Sequence, residues 1–449
     1  MIKKIAFVAG FLLTISLLNA QEPWTLERCI DYALENNIQI QRQELSTRIY
    51  NNEYKQSRYD LLPNLNAQWS HQLSSGRSLN TEDYVWENRE LQQGSMGIGS
   101  NVTLFNGMQN YNNIQERKFS MMADLALLES VKYDVTLNVA TNYLQVLFEK
   151  ELVEINQNQL ELTNQQVEKT EKLVEVGNKA RGDLLDIKAQ QASEKVTLIN
   201  AQNNLTISIL TLTQLLELDS VGTFDIVVPE DLEVDFSSTL MSVDDAYRIA
   251  VENHPSIITN EYLLRSSEKK LAMARGERSP ELSLEGVYYS RYNETATDPF
   301  DPTSEYAYID QLDDNQYKQV LLRLSIPVFN RMRVNTNISN SKINVQDSKL
   351  ALENAKNNLY KLVQQSHTDA LGALEKYYSS IEAVKSNEEA FKYTEEKYNA
   401  GIVSALDYNE AKMNLTKARS DLLQAKYEYI FKTKILDFYM GNPISLAAN

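Results

Sequence analysis

Four carboxylates stand at matched spacing behind two glycines. Asp183 and Asp186 lie six and nine residues after Gly177, and Asp407 and Glu410 lie six and nine after Gly401. Their chemistry is electrostatic. A carboxylate in a helix's first turn favours the positive end of the helix dipole, and Ser404, three before Asp407, makes a capping-box pattern. No nucleophile–base set accompanies them. His71, His254 and His367 are far apart and lack ligand spacing, so no metal and no cofactor is expected. The single Cys29 allows no internal disulfide and sits among apolar positions, where it is expected to pack. Gly97-Ile98-Gly99 looks like part of a nucleotide loop, but strand follows it, with no phosphate lysine and no helix start. An enzyme is not expected.

The segments that must place these acids are long and repeated. Ahead of Gly177, Val139, Val146, Val153, Leu160, Val167 and Val174 recur every seventh residue. About 224 residues on, Val363, Ala370, Tyr377, Val384, Phe391 and Tyr398 keep the same phase ahead of Gly401. A second row, Ile155, Leu162 and Val176, lies two residues behind the first, turned by roughly 200° around the helix. Rows on opposite flanks suit a helix with a neighbour on each side, as in a hollow cylinder. A bundle of two-sided coiled coils around a filled core would show the same rows.

The chain begins Lys3-Lys4, an apolar run from Ile5 to Leu18, then Asn19-Ala20-Gln21, which reads as a secretory leader cut after Ala20. No cysteine follows the cut, and no other apolar run reaches the ~20 residues of a spanning helix. The formal charge is −17, or about −19 without Lys3 and Lys4. So acidic a surface argues against nucleic acid.

The two halves align. Thr25-Leu26 through Asn36 matches Ser242-Val243 through Asn253, Pro63 matches Pro280, and Leu104-Phe105-Asn106 matches Val328-Phe329-Asn330. Each half reads as short helix, Pro, strand, loop, strand, long helix, Gly turn, short helix. In the strands, Leu65, Ala67, Trp69 and Leu73 alternate with polar residues, as do Met96, Ile98, Val102 and Leu104. In the second half, Leu282, Leu284 and Tyr288 alternate with Glu281, Ser283 and Glu285, and Val320 to Val328 gives an apolar face opposite Gln319, Arg323 and Ser325.

Alternation over roughly ten residues is what a tilted membrane strand needs. A half-exposed soluble sheet has the same period, but nothing else in the chain looks able to cover these faces. Trp69, Phe105, Tyr288, Tyr289, Tyr292 and Phe329 are candidates for an interfacial girdle. Glu281, Glu285 and Arg323 fall on the polar face, where they line a lumen if the sheet closes. The connections 76–93 and 293–316 are long, polar and acidic. Four strands cannot close a barrel alone, and an open edge is not viable in lipid; dimers would give eight strands and trimers twelve. The long helix from Gly107 to Val176 is some 70 residues, or ~105 Å. Leu26–Leu62 and Asp183–Glu217 together are about as long, and stacked end to end they could run beside it.

On these residues the chain resembles the TolC family of outer-membrane efflux and secretion channels. The resemblance runs from Leu26 and Ala33-Leu34-Glu35-Asn36-Asn37, through Leu62-Pro63-Asn64-Leu65, to the paired Gly turns, all in duplicated order. It implies a membrane β-barrel plus a long α-helical barrel, built as a trimeric channel-tunnel. The homotrimer would have twelve strands and twelve periplasmic helices. The protomer would be internally duplicated, with two β-hairpins, two long helices and four shorter helices. The expected division is a signal peptide at 1–20 and a first repeat at 21–218, with its hairpin at 64–105 and tip turn at 177–183. A linker or equatorial segment at 219–241 follows, then a second repeat at 242–441, with hairpin 281–329 and tip turn 401–407, and a tail at 442–449.

The resemblance also gives the acids a second use. In the family, acids six and nine residues after the second-half Gly line the periplasmic entrance, and a Tyr three before it helps latch it. Those positions are Asp407, Glu410 and Tyr398 here, with Asp183 and Asp186 in the other half. Trimeric symmetry would make them a cation-attracting ring. Lys179 and Arg181 could tie the closed tip by ion pairs, whereas the family's latch arginine, two after the second-half Gly, is Val403. Ala400, Gly401, Ile402, Val403 and Ser404, and more loosely Val176 and Gly177, resemble the tip that docks a periplasmic adaptor (membrane fusion) protein and, through it, an inner-membrane transporter. The expected function is a passive outer-membrane channel for efflux or type I secretion, its barrel set in outer-membrane lipid. The alternative is a periplasmic helical-hairpin adaptor or scaffold without channel activity.

Overall fold

The computed structural model describes residues 24–79, 84–219, 224–228, 241–298 and 306–445. The expected leader lies outside them, as do parts of the expected linker, tail and both strand-connecting loops. The chain divides into two compact units, 46–125 with 259–353, and the remainder.

In the first of these, β1 (Asn66–Leu79), β2 (Trp86–Phe105), β3 (Glu281–Asn293) and β4 (Tyr317–Ser325) form one antiparallel sheet in that order. The register puts Asn66 opposite Gly99, Gly99 opposite Val287, and Glu285 opposite Leu321. Because side chains alternate faces, Asn66, Gln68, Ser70, Gly97, Gly99, Asn101, Glu281, Ser283, Glu285, Arg323 and Ser325 share one face. Ala67, Trp69, Met96, Ile98, Val102, Leu282, Leu284, Tyr288, Val320, Leu322 and Leu324 share the other. That apolar face is bare: Trp69 is 69% exposed, Val320 78% and Leu322 60%. Among the described residues β1 and β4 are the outer strands, each with one partner.

Tyr289 does not belong with the expected girdle, because it is adjacent to Tyr288 and so points to the polar face. There it covers Gly97, where an added Cβ would lie 2.6 Å from the Cβ of Tyr289. A short helix, α7 (Tyr308–Asp314), interrupts the expected 293–316 loop. It takes the place of β4 beyond Tyr317. The β3 backbone N–H of Asn293 donates to Gln311 (2.9 Å), Asn315 donates to the Arg291 carbonyl (3.1 Å), and Ser290 donates to the Leu312 carbonyl (2.6 Å).

The helices are α1 (Leu26–Asn36), α2 (Ile38–Tyr59), α3 (Gln109–Glu175), α4 (Arg181–Leu215), α5 (Val243–Asn253), α6 (Pro255–Gly276), α8 (Arg333–Asn399) and α9 (Ala405–Tyr439). The two halves match helix for helix, at 11, 22, 67 and 35 residues. The expected helix from Leu26 to Leu62 is two helices, and so is its counterpart. The four shorter helices expected are therefore six among the described residues, apart from α7. At the break, Asn37 is extended (φ −63°, ψ 128°); its Oδ1 accepts from Gln39 N at 2.9 Å and its Nδ2 donates to the Leu215 carbonyl at 3.1 Å. In the second half, Pro255 opens α6 and forces His254 out of helical geometry (ψ 124°).

The core of the larger unit gathers Leu26, Cys29, Ala33, Val139, Tyr143, Leu147, Leu212, Leu216, Tyr427 and Ile430. Trp24 and Ile226 pair as parallel backbone, and the Tyr143 hydroxyl lies 3.0 Å from the Trp24 carbonyl and 2.8 Å from that of Val227. Beyond Leu147 the buried face of α3 is largely polar, with Glu149, Asn156, Thr163 and Thr170 buried beside Val167.

Candidate functional site

The long helices end by the same device. Gly177 and Gly401 take left-handed backbone (φ 79° and 75°), with open space around each. Asn178 N bonds to the Leu173 carbonyl (2.8 Å) and Gly177 N to that of Val174 (3.0 Å); Ile402 N bonds to Lys397 O (2.9 Å) and Gly401 N to Tyr398 O (3.1 Å). These paired bonds are Schellman turns, which a residue with a Cβ enters only under strain. Val176 and Ile402 are left 68% and 72% exposed at the two turns, and Ala400, Gly401 and Ser404 are exposed beside them.

α9 then starts with a full capping box. The Asp407 N–H donates to Ser404 Oγ (3.3 Å), and the Asp407 carboxylate accepts from Ser404 N (3.0 Å) and Oγ (2.7 Å). The Ser404 hydroxyl and then its backbone N–H hold the Asp407 carboxyl below its ordinary value. Asp183 is half-buried in the first turn of α4, while Asp186, Glu410 and Arg181 are exposed and make no ion pair among the described residues.

Among the described residues Lys179 reaches no carboxylate. Its ammonium sits over the ring of Tyr398, 3.7 Å from the centroid. Tyr398, 2% exposed, stacks on Tyr408 at 4.8 Å, and Tyr408 meets Phe391 at 5.5 Å. Val167, Ile187 and Ala405 complete this cluster, with Leu184, Phe391 and Val403 against it. Val403 thus adds an apolar contact where the family's arginine would bring a charge. Burial, then Glu395, Tyr398 and Glu194, push the Tyr408 phenol up to about 12. The Tyr398 hydroxyl is buried without a partner among the described residues.

One turn behind the aromatic cluster lies a group the sequence did not disclose. Lys412 of α9 and Glu194 of α4, with side chains 6% and 10% exposed, form an ion pair at 3.6 Å. Thr163 of α3 accepts from Lys412 and donates to Glu194. Burial lowers the Lys412 pKa, and the charge and hydrogen bond of Glu194 act against that. Lys412 and Glu194 are 218 positions apart, so no local pattern could have joined them.

On the sheet, Glu281, Glu285 and Arg323 share the polar face, and Arg323 Nη2 lies 3.7 Å from the Glu285 carboxylate. A groove on that face is lined by Asn66, Gln68, Gly97, Gly99, Glu285 and Arg291. Gly99 leaves it open, since an added Cβ there would meet only the Gly286 carbonyl at 4.0 Å. Among the described residues there is no cluster of metal-ligating side chains, and no helix is long and apolar enough to cross a membrane.

This arrangement has relatives. The family model for outer membrane efflux proteins matches residues 29–217 and again 246–442. Outer membrane protein TolC of Escherichia coli is 21% identical, over 75% of this chain and 72% of that protein. Outer membrane efflux protein BepC of Brucella suis is 19% identical, over 90% and 83%. Among solved structures, the CmeC outer membrane channel of Campylobacter jejuni superposes with a TM-score of 0.79 at 16% identity, covering 94% of this chain and 87% of that one. The outer membrane protein VceC of Vibrio cholerae gives 0.77 at 14%, covering 93% and 96%. The fold is that of these outer-membrane channels.

Proposed function

Since the chain belongs to the outer membrane efflux protein family, whose members are outer-membrane channels of efflux pumps, we propose that three copies close into one tunnel that conducts exported solutes passively. One observation carries this reading. The sheet has an exposed apolar face, a polar face and two outer strands with one partner each. In lipid that arrangement is viable only when closed. β1 of one copy meeting β4 of the next removes every edge, and three copies make twelve strands.

The apolar face then meets outer-membrane lipid, and Glu281, Glu285 and Arg323 line the lumen. The repeats 21–218 and 242–441 each supply one long stave and one stave of stacked shorter helices to a helical barrel. Helices of 67 residues are about 100 Å long, enough to reach deep into the periplasm. At its far end, Asp183, Asp186, Asp407 and Glu410, repeated around the axis, narrow the aperture and attract cations. Lys179 on Tyr398 holds the two turns of one protomer together, and Arg181 borders them. Val176, Gly177, Ala400, Gly401, Ile402 and Ser404 form the docking tip for a periplasmic adaptor (membrane fusion) protein. An inner-membrane transporter supplies the energy. The acidic surface suits no nucleic acid. Paired hairpins with a bare apolar face disfavour the scaffold reading, because a periplasmic adaptor has no lipid to cover that face.

Disulfide scanning tests the closure. Cysteine pairs, one along β1 and one along β4, should yield covalent dimers and trimers in membranes. A full panel that yields only monomer, in protein shown to be folded, contradicts it.

A further inference from the structure

Glu149, Asn156, Thr163 and Thr170 stand every seventh residue on α3, polar yet only 1–9% exposed. Glu149 accepts from Gln145, and Asn156 donates to the Leu152 carbonyl, both within α3. Glu149 Oε2 and Thr170 Oγ1 have no partner among the described residues. Of the four, Thr163 alone bonds to neighbouring helices among the described residues, through Lys412 and Glu194.

That tie is complete. Lys412 donates to Thr163, approaches the Gln159 carbonyl at 3.4 Å and pairs with Glu194 at 3.6 Å. Glu194 also accepts from Gln159 (3.2 Å) and Gln190 (3.0 Å). Every member is satisfied, the condition under which a buried polar network fixes one arrangement. It joins α3 and α4 of the first half to α9 of the second, inside one compact unit. It also abuts the tip cluster: Lys412 is four residues after Tyr408, Glu194 seven after Ile187, and Thr163 four before Val167.

We propose that Lys412, Glu194 and Thr163 are positioning residues that seat α9 and so hold Tyr408 and Asp407 in the closed tip. Farther from the tip α9 is tied to α3 by Tyr427, whose hydroxyl donates to Glu151, and to α8 by ion pairs of Arg419, Glu428 and Lys432. Nearer the tip the other buried polar groups of this α3 row bond within their own helix or, among the described residues, not at all. There the ion pair supplies the grip. A small slip of α9 leaves two buried charges unpaired, which is costly, whereas full separation lets both hydrate. The tie therefore resists loosening but permits complete release. This rests on the reading of the tip as the constriction.

Planar-bilayer recordings of the full-length protein test it, with Lys412→Met, Glu194→Gln and the double variant Glu194→Met/Lys412→Met. Lys412→Met should raise unit conductance severalfold and Glu194→Gln should raise it less. The double variant, with two apolar chains in place of the ions, should return toward wild type. A residue needed only for stability would lower the yield of inserted channels and leave their unit conductance alone. Unit conductance unchanged in the single variants overturns the proposal; should Lys412→Met fail to assemble, the near-isosteric Glu194→Gln decides alone. Asp407→Ala/Glu410→Ala in the same bilayers separates the two readings. If it alters neither conductance nor selectivity, the tip is not the constriction; if it does while the singles do not, only the positioning role falls.

Discussion

Arginine at Leu322 and arginine at Leu321 should have opposite consequences, although the two leucines are neighbours on β4 at nearly the same depth. Leu322 lies opposite Leu284 on the apolar face, and Leu321 lies opposite Glu285 on the polar face. If the apolar face meets lipid, Leu322→Arg places a guanidinium in hydrocarbon at a cost of about 2–4 kcal/mol near the midplane. That is about 30-fold or more in the folding equilibrium. If the face met water, a leucine already 60% exposed would be replaced almost freely, within about 0.5 kcal/mol. Leu321→Arg is the internal control, because the Glu285 carboxylate opposite offsets repulsion from Arg323. The assay is urea titration of protein folded into lipid vesicles, read by protease protection and the gel shift of the folded form. Leu322→Arg should fold poorly and Leu321→Arg nearly as wild type. Equal folding of the two would refute the assignment of faces.

Lys179→Met removes the cation over Tyr398, a contact of about 0.5–2 kcal/mol, and should speed amide exchange at 398–402 while leaving the sheet unchanged. Asp407 titrates below its ordinary 3.8, so its cap is intact above that pH and is lost as pH falls through the depressed value. Exchange at 404–408, corrected for its intrinsic pH dependence, should rise only below pH 3.8, and Ser404→Ala should move that onset upward. Gly97→Ala drives a Cβ to within 2.6 Å of Tyr289 Cβ and 2.7 Å of the Tyr288 carbonyl. Its cost of about 1–3 kcal/mol should appear in the same urea titration, and Gly99→Ala, whose Cβ would meet only the Gly286 carbonyl at 4.0 Å, should show little.

What could be read from the sequence was what repeats or punctuates locally. The strands showed where Leu282, Leu284, Leu322 and Leu324 alternate with polar residues. The first part of β2 did not, because Glu87 to Gly94 has almost no apolar residue; that stretch is a strand through its pairing with β1. Gly177 and Gly401 marked the helix ends because the turn needs left-handed backbone there. The breaks inside the shorter helices lie outside what the apolar period shows, although Pro255 is a sign of one in the second half and Asn37 a weak sign in the first. Tyr289 falls outside the expected girdle because tyrosine suits a rim as well as a wet wall, and parity, not residue type, decides. α7 is too short for a period to show. At the tip, the spacing gave the acids, but only the packing reveals that Lys179 meets an aromatic face and that Lys412 and Glu194 meet at all.

The central claim is that this chain makes a gated, water-filled path across the outer membrane. Planar-bilayer recording of the purified protein tests it most directly. The account predicts small, cation-selective currents whose size or selectivity changes in Asp407→Ala/Glu410→Ala. A folded protein that stays out of detergent and lipid and never conducts would contradict it.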